Sequence, residues 1–425
     1  MPRAEPIDVG LFGSFKRYGD LGVHTVVDVR RTFAPEDVAA ALAATITHFP
    51  VLGCIYEPRF FRDRWVVAKG PISNAFHFSK SDNVETETLF WTKKPLDPTV
   101  ERPVRIVQFQ MGDRSRFIVS LSHLAVDGAG MAAVGHVFAS YLYGKSPRFP
   151  VETRRDLGRA LSGLQIFHLP MLVRDTLHVL FQPLRVYRSA RRKQPYPSGG
   201  SLEPAVRHLV FSSETLEKLK AKCGGGVTVN DLLLAAVARA GARRAHSGDV
   251  AVHYTMDLRR FSRSPHLSAT NASSILSAVI PQSALGDLPT AARTVRPLTQ
   301  KQRNSLVGPA FVLLPSYLVN LAPHALVRAL LPTVHPLAVD MPLRRGLIFT
   351  NVGKVDSGLG PLADDIEDVR VYGPNMIGVP APAIVAFGFR GQLHLELFAP
   401  PGLGDEALLE LERDVYTALD LPFPG

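Results

Sequence analysis

Ser120-Leu121-Ser122-His123-Leu124-Ala125-Val126-Asp127-Gly128-Ala129-Gly130 is the stretch on which the reading of this chain turns. Residues 116–122 before it alternate like a strand, and Met131 to Tyr143 after it reads as an apolar helix closed by Gly144. A histidine at a strand end projects into a cleft rather than a core, and imidazole suits proton removal near neutral pH. Asp127 follows four residues later and either bonds the backbone of its own turn or pairs with a cation elsewhere. Gly128 and Gly130 are expected to let the chain turn sharply into the helix. Other readings of the stretch are weaker. Ser122 lacks the G-x-S-x-G elbow of a nucleophilic serine. Gly128 to Ala133 fits the dinucleotide pattern G-x-G-x-x-A, but no βαβ unit precedes it and residues 145–150 supply no acid.

Working outward, residues 103–110 and 116–122 read as paired strands with a Met-Gly-Asp-Arg-Ser turn. Nearer the N-terminus, a strand at 24–33 leads into a helix from Pro35, with Glu36 and Asp37 at its positive end, to about Thr47. Beyond the motif, 154–193 holds nine basic residues against Asp156 and Asp175, a local excess of seven charges. Pro170 and Pro183 are expected to break that stretch, and 195–200 has linker composition. The second half opens with a strand at 206–211 and a helix at 214–222. Thr228 then caps a helix over the run VTVNDLLLAAVARA, residues 227–240. Strands follow at 251–258, 273–280 and 346–352, with a proline-interrupted helical region at 288–330. A hairpin over 383–398 and a last helix at 404–419 complete the chain. The expected domains are 1–195, carrying the motif and the basic linker, and 196–425.

At 425 residues with 46% hydrophobic and 20% charged side chains, the chain can bury two cores and is not a disordered protein. The net charge of +10 is concentrated in 154–193, unlike a uniformly basic nucleic-acid binder, so no nucleic-acid partner is expected. Cys54 and Cys223 are separate and form no zinc pattern. They read as reduced, buried thiols, and no metal is expected. Neither a signal peptide nor an apolar run of spanning length is present, so the expected location is cytoplasmic.

The His-x-x-x-Asp-Gly motif in its strand–turn–helix setting resembles the chloramphenicol-acetyltransferase-like superfamily, which includes peptide-synthetase condensation domains, wax-ester synthases and polyketide-associated acyltransferases. Other segments fit in the same order: His48-Phe49-Pro50-Val51-Leu52, residues 227–240, Met256-Asp257-Leu258-Arg259-Arg260-Phe261 followed by Asn271, and Phe349-Thr350-Asn351-Val352-Gly353-Lys354. Ser122 departs from the family's paired histidines, and the plant-type Asp-Phe-Gly-Trp-Gly motif is absent.

The resemblance implies an α/β fold of two lobes, each a mixed sheet flanked by helices, with an active-site tunnel between them. It implies acyl transfer from an acyl-coenzyme A or acyl-carrier-protein thioester to the hydroxyl of a hydrophobic acceptor, with no bound cofactor. His123 would be the general base within a catalytic motif completed by Asp127 and Gly128. Asp127 would act structurally, through an ion pair for which Arg259 is the candidate. Asn351, Gly353 and Ser122 would touch substrate. Two alternatives stay open: a free-standing condensation enzyme forming an amide, and a non-catalytic binding module. For 154–193 three readings stand: a solvated linker helix, a peripheral membrane contact, and a dock for coenzyme A phosphates or an acidic carrier protein.

Overall fold

The computed structural model describes residues 3–424 apart from 191–204, 245–247, 264–265, 375, 378, 380 and 400–401. The expected linker at 195–200 and the boundary at 195/196 therefore lie outside the described residues.

Two mixed sheets form the framework. The first has five strands in the order Ile366–Tyr372, Gly22–Val29, Arg114–Ser122, Val104–Met111 and Phe76–Ser79. Only its last pair is parallel. Side chains alternate across it, as a pleated strand requires. Val27, Ile106 and Phe117 enter the large core under the helices Pro35–His48 and Gly128–Leu142. Val26, Val107 and Ile118 pack on the other face with Trp91 of the helix Val84–Lys93.

The second sheet has six strands, in the order Ser273–Ile280, Val250–Asp257, Gly346–Lys354, Ala383–Phe389, Gln392–Ala399 and Ala205–Phe211. Its core is built on the helix Val229–Ala242, with Leu288–Arg303 and Gly404–Ala418 beside it. Thr228 caps that helix in a reciprocal box with Asp231.

The halves of the chain do not map one to one onto the sheets. Ile366–Tyr372, from the second half, pairs with Gly22–Val29 at the edge of the first sheet. The Val371 N–H also donates to Glu396 on the second sheet at 2.9 Å, which ties the two together.

The prolines act less sharply than the sequence suggests. Leu169–Ser189 is one 21-residue helix with Pro170 in its first turn and Pro183 inside it. Pro170 sits where a helix needs no N–H, and an interior proline can bend a helix without ending it when packing holds both sides. The 288–330 region divides into Leu288–Arg303, Val307–Leu321 and His324–His335, while Pro297, Pro315 and Pro332 lie within them. A further helix, Pro6–Tyr18, has no counterpart among the sequence expectations. Among the described residues no single helix is long and apolar enough to cross a membrane. Cys54 and Cys223 are buried and unpaired.

Candidate active site

The strand Arg114–Ser122 delivers His123 to the junction of the two sheets. At its end the Ser122 N–H donates to the Pro103 carbonyl at 3.0 Å, and the His123 N–H donates to the Leu21 carbonyl at 2.9 Å. The chain then folds back, with the Ala125 N–H donating to the Ser122 carbonyl at 2.9 Å. Ser122, expected beside the substrate, is instead fully buried, and its Oγ accepts the Leu124 N–H at 3.3 Å. Its hydroxyl shapes the turn that carries His123.

Asp127 ends this turn as the cap of the helix Gly128–Leu142. Its Oδ1 accepts the Gly130 N–H at 2.8 Å, and its Oδ2 accepts the Ala272 N–H at 2.8 Å. Arg259 closes on the same carboxylate with both arms, Nη2 to Oδ1 at 2.9 Å and Nη1 to Oδ2 at 3.0 Å. Arg259 also donates to the Thr270 carbonyl and to Asp257. Burial alone would raise the Asp127 carboxyl. The Arg259 charge and the hydrogen bonds outweigh it and hold Asp127 below the usual carboxylate range. With four donors on two oxygens, Asp127 is fully occupied in holding the turn, the helix start and Arg259 together.

The glycines of the motif work differently from the expectation. Neither has a positive φ, and both lie in the helix, which starts at Gly128 rather than near Met131. Asp127 starts the helix early by satisfying its first-turn donor. Gly130 is small for another reason: a Cβ there would stand 3.2 Å from the Thr270 carbonyl oxygen. A Cβ on Gly128 would meet nothing within 4 Å, so open space adjoins the start of the helix.

Asn271 fixes the turn from the other half of the chain. Its Nδ2 donates to the carbonyls of His123 and Leu124, both at 3.1 Å. Arg155 supports it from below, donating to the Ala125 carbonyl at 3.0 Å and pairing with the fully buried Asp8, which also accepts Trp65 Nε1 at 2.9 Å. Arg155 was counted with the basic stretch, but it is an internal strut. Its neighbour Arg159 is paired with Glu152. The 154–193 stretch is therefore not one free cationic surface.

His123 itself is half-buried. Its Nδ1 is sealed without a hydrogen-bond partner among the described residues. Nε2 is not among the sealed, unpartnered atoms of the described residues.

The structure thus gathers Ser122, His123, Asp127, Gly128 and Arg259 into one cluster. Asn351 and Gly353 do not join its hydrogen bonds. They sit at a bulge of Gly346–Lys354, where Asn351 bonds Asn230 at 3.3 Å and accepts the Gly353 N–H at 2.9 Å. Gly353 has φ 83°, a left-handed conformation that favours glycine. Among the described residues no group of three His, Cys, Asp or Glu side chains is placed to hold a metal. A recess of about 500 Å³ lies beyond Arg259, lined by Leu164, His168, Met171, Arg260, Arg303 and neighbouring residues, and does not include His123.

No protein-family model matches the sequence, and no curated protein matches it. Solved structures match over almost the whole chain. Trichothecene 15-O-acetyltransferase from Fusarium sporotrichioides is 12% identical with a TM-score of 0.74, covering 98% of this chain and 94% of its own. The first condensation domain of the calcium-dependent antibiotic synthetase, in complex with a substrate analogue, is 16% identical with a TM-score of 0.67, covering 99% and 96%. The starter condensation domain of rhizomide synthetase, in complex with C8-CoA, is 12% identical with a TM-score of 0.63, covering 99% and 94%. At these identities the likeness is one of fold, and it is the two-lobed α/β fold of the chloramphenicol-acetyltransferase-like proteins that the His-x-x-x-Asp-Gly motif resembles.

Proposed function

We propose that the chain is an acyltransferase that moves an acyl group from a thioester, on coenzyme A or a carrier protein, to the hydroxyl of a hydrophobic acceptor, with His123 as general base. One observation carries the reading. The turn bearing His123 is clamped from across the sheets by Arg259 on Asp127 and by Asn271 on its carbonyls, while Nε2 is not among the sealed, unpartnered atoms of the described residues. A base held this rigidly at a junction is positioned for catalysis rather than for packing.

In this mechanism Nε2 takes the hydroxyl proton as the oxygen attacks the thioester carbonyl. The new C–O bond forms, the tetrahedral intermediate collapses, and the C–S bond breaks. The imidazolium returns its proton to the departing thiolate, so the base ends as it began. General-base assistance of this kind contributes roughly 10²–10⁴-fold. The unused N–H groups of the first helical turn, at Gly128 and Ala129, are candidate donors to the oxyanion. No bound cofactor or metal takes part in this scheme. The named activities of the matched structures support it: an O-acetyltransferase has this fold, and a condensation domain of this fold holds C8-CoA. An amine acceptor, giving an amide, is the second reading, supported by the condensation-domain likeness. A peripheral lipid contact through 154–193 belongs to the same proposal, because hydrophobic acceptors partition into membranes.

The test is thiol release from acyl-coenzyme A donors of increasing length, with and without alcohols or amines. Release that requires an alcohol and falls at least a hundredfold in His123→Ala supports the reading. Release that is unchanged in that variant removes His123 as base, and release driven only by amines selects amide formation. No release with free or carrier-bound donors leaves a non-catalytic module.

A further inference from the structure

The helix Leu169–Ser189 is turned inside out. Its buried positions are Asp175, Gln182 and Val186. Its opposite side presents Leu169, Val173, Leu177, Leu180, Leu184 and Tyr187, three or four residues apart and each 42–55% exposed. A surface helix normally points such a stripe at the core. Here a mixed side is held in instead: Val186 and Val179 pack inward beside Asp175, whose Oδ2 accepts the Leu306 N–H at 2.7 Å at the start of the helix Val307–Leu321.

A second stripe, more than 130 residues away in sequence, repeats the pattern. Leu326, Leu330, Val334 and Leu337, on His324–His335 and the turn that follows, are 51–64% exposed. The helix between the two stripes, Val307–Leu321, packs on Leu169–Ser189 and ends in exposed Tyr317, Leu318 and Leu321. Phe60 and Phe61, both exposed, adjoin the start of His324–His335, since their carbonyls accept the N–H groups of Ala325 and His324 at 2.9 and 3.1 Å.

The exposed charges carried by these two segments are of one sign, and the acids that adjoin the second stripe, Asp63 and Asp340, are buried and paired with Arg328 and Arg17. Residues 305–339 contain no carboxylate, and 157–193 contain only Asp175, which is buried. Arg185 and Arg188 flank the first stripe, exposed and without a carboxylate partner among the described residues. At the foot of the same helix the 500 Å³ recess brings together His168, Arg260 and Arg303 with no carboxylate in its lining. Burial first, and the Arg303 charge second, lower the Arg260 pKa, so two cations meet there without an acid between them.

We propose that this face is a docking surface for an anionic lipid interface, with the two stripes seated at the acyl boundary and the His168–Arg260–Arg303 recess receiving a phosphate head group. A helix of 21 residues offers a row about 30 Å long, and an apolar row with a cationic flank is the pattern of helices that lie in the membrane interface. A second copy of the chain would bring the same cationic rim against this one. An acidic carrier protein would satisfy the arginines but leave the rows of leucine uncovered. The proposal builds on the peripheral contact suggested for 154–193, but its test needs no turnover.

Flotation of the full chain with vesicles of phosphatidylcholine, alone or mixed with phosphatidylglycerol, tests it. The wild type should float with the anionic vesicles and release as salt rises. Leu177→Glu with Leu330→Glu should lower partitioning at least tenfold on both vesicle types, roughly the loss of two buried leucines. Arg260→Gln with Arg303→Gln should lower it about fivefold per arginine on anionic vesicles only. All four positions are at the surface, so unchanged melting temperatures serve as the folding control. His123→Ala should float like the wild type, which separates this surface from the catalytic reading. A wild type that stays down with anionic vesicles overturns the proposal, as does a Leu177→Glu/Leu330→Glu variant that floats equally well. So does a wild-type dimer that those glutamates split into monomers, since the face would then be covered by its own copy.

Discussion

The helix Gly128–Leu142 and the helix Leu169–Ser189 carry similar apolar side chains and bury opposite sides. The first sinks Val134, Val137, Phe138 and Leu142 into the first core, and the second sinks Asp175 and Gln182 with Val186. Each involves one buried aspartate that accepts an N–H at a helix start, Asp127 at its own helix and Asp175 at Val307–Leu321, but the two charges are balanced differently. Asp127 faces Arg259, whose side chain is 14% exposed, whereas Asp175 faces Arg174, at 68%. Hydrophobic periodicity shows that a helix has a face. Which way that face turns is decided by where its polar groups find partners, and the two aspartates make those choices in opposite directions.

The comparison is broken most strongly at Arg259. Arg259→Ala leaves Asp127 buried without its counter-ion and should cost about 3–5 kcal/mol in urea unfolding, together with a large loss of turnover. Arg259→Lys should fall between, because it keeps the charge and loses the two-armed contact. Arg174→Ala, at an exposed pair, should leave the unfolding midpoint nearly unchanged. If the two arginine losses prove equal, the aspartates are not balanced in different ways.

Phe138→Ala comes next, at about 3 kcal/mol, because the ring is 3% exposed in a packed core. Asp175→Ala should cost about 2 kcal/mol by orphaning the Leu306 N–H. That loss is the direct measure of how firmly the inverted helix is held by its polar side.

Acid sharpens the same contrast. His24, on the strand paired with Arg114–Ser122, bonds Ser120 Oγ at 2.8 Å and is pushed down from 6.5 to about 3 by burial, with Arg105 adding to the shift. The unfolded chain binds a proton here below 6.5 while the native chain does not, so stability falls as pH drops through that window. His24→Gln should flatten the fall by up to one proton, about 1.4 kcal/mol per pH unit. His178, on the inverted helix, is lowered by burial first and by Arg185 second but is only half-buried, so His178→Gln should change the slope much less.

What was legible in the sequence is what is local. The strand–His–turn–Asp–helix order and the Thr228 cap follow from spacing and propensity over a few residues, whereas the mixed sheets came from the resemblance. The partnership of Asp127 with Arg259 came from resemblance, since 132 residues separate them and no periodicity links them. Arg155 was misread for the same reason: beside Arg154 and Arg159 it looks like surface charge, and only Asp8, 147 residues earlier, makes it a strut. The strand Ile366–Tyr372 went unseen because IEDVRVY interleaves charges with its apolar residues, as a sheet edge allows. Asn271 could be placed in the order of motifs but not given its task, because it acts on backbone carbonyls, which carry no sequence signal.

The smallest expected effect is the most discriminating. Leu177→Ala removes a large apolar side chain from the middle of a helix, and in the helix Gly128–Leu142 such a change would open a cavity. In Leu169–Ser189 that side chain is 52% exposed, so no cavity follows, and alanine has the higher helix propensity. The expected change in unfolding free energy is within about 0.5 kcal/mol. A loss near 2 kcal/mol would mean that Leu177 is covered in solution, although among the described residues nothing covers it. A negligible loss combined with weaker vesicle flotation would show that the stripe contributes to docking and not to folding, which is the distinction between the two helices in its sharpest form.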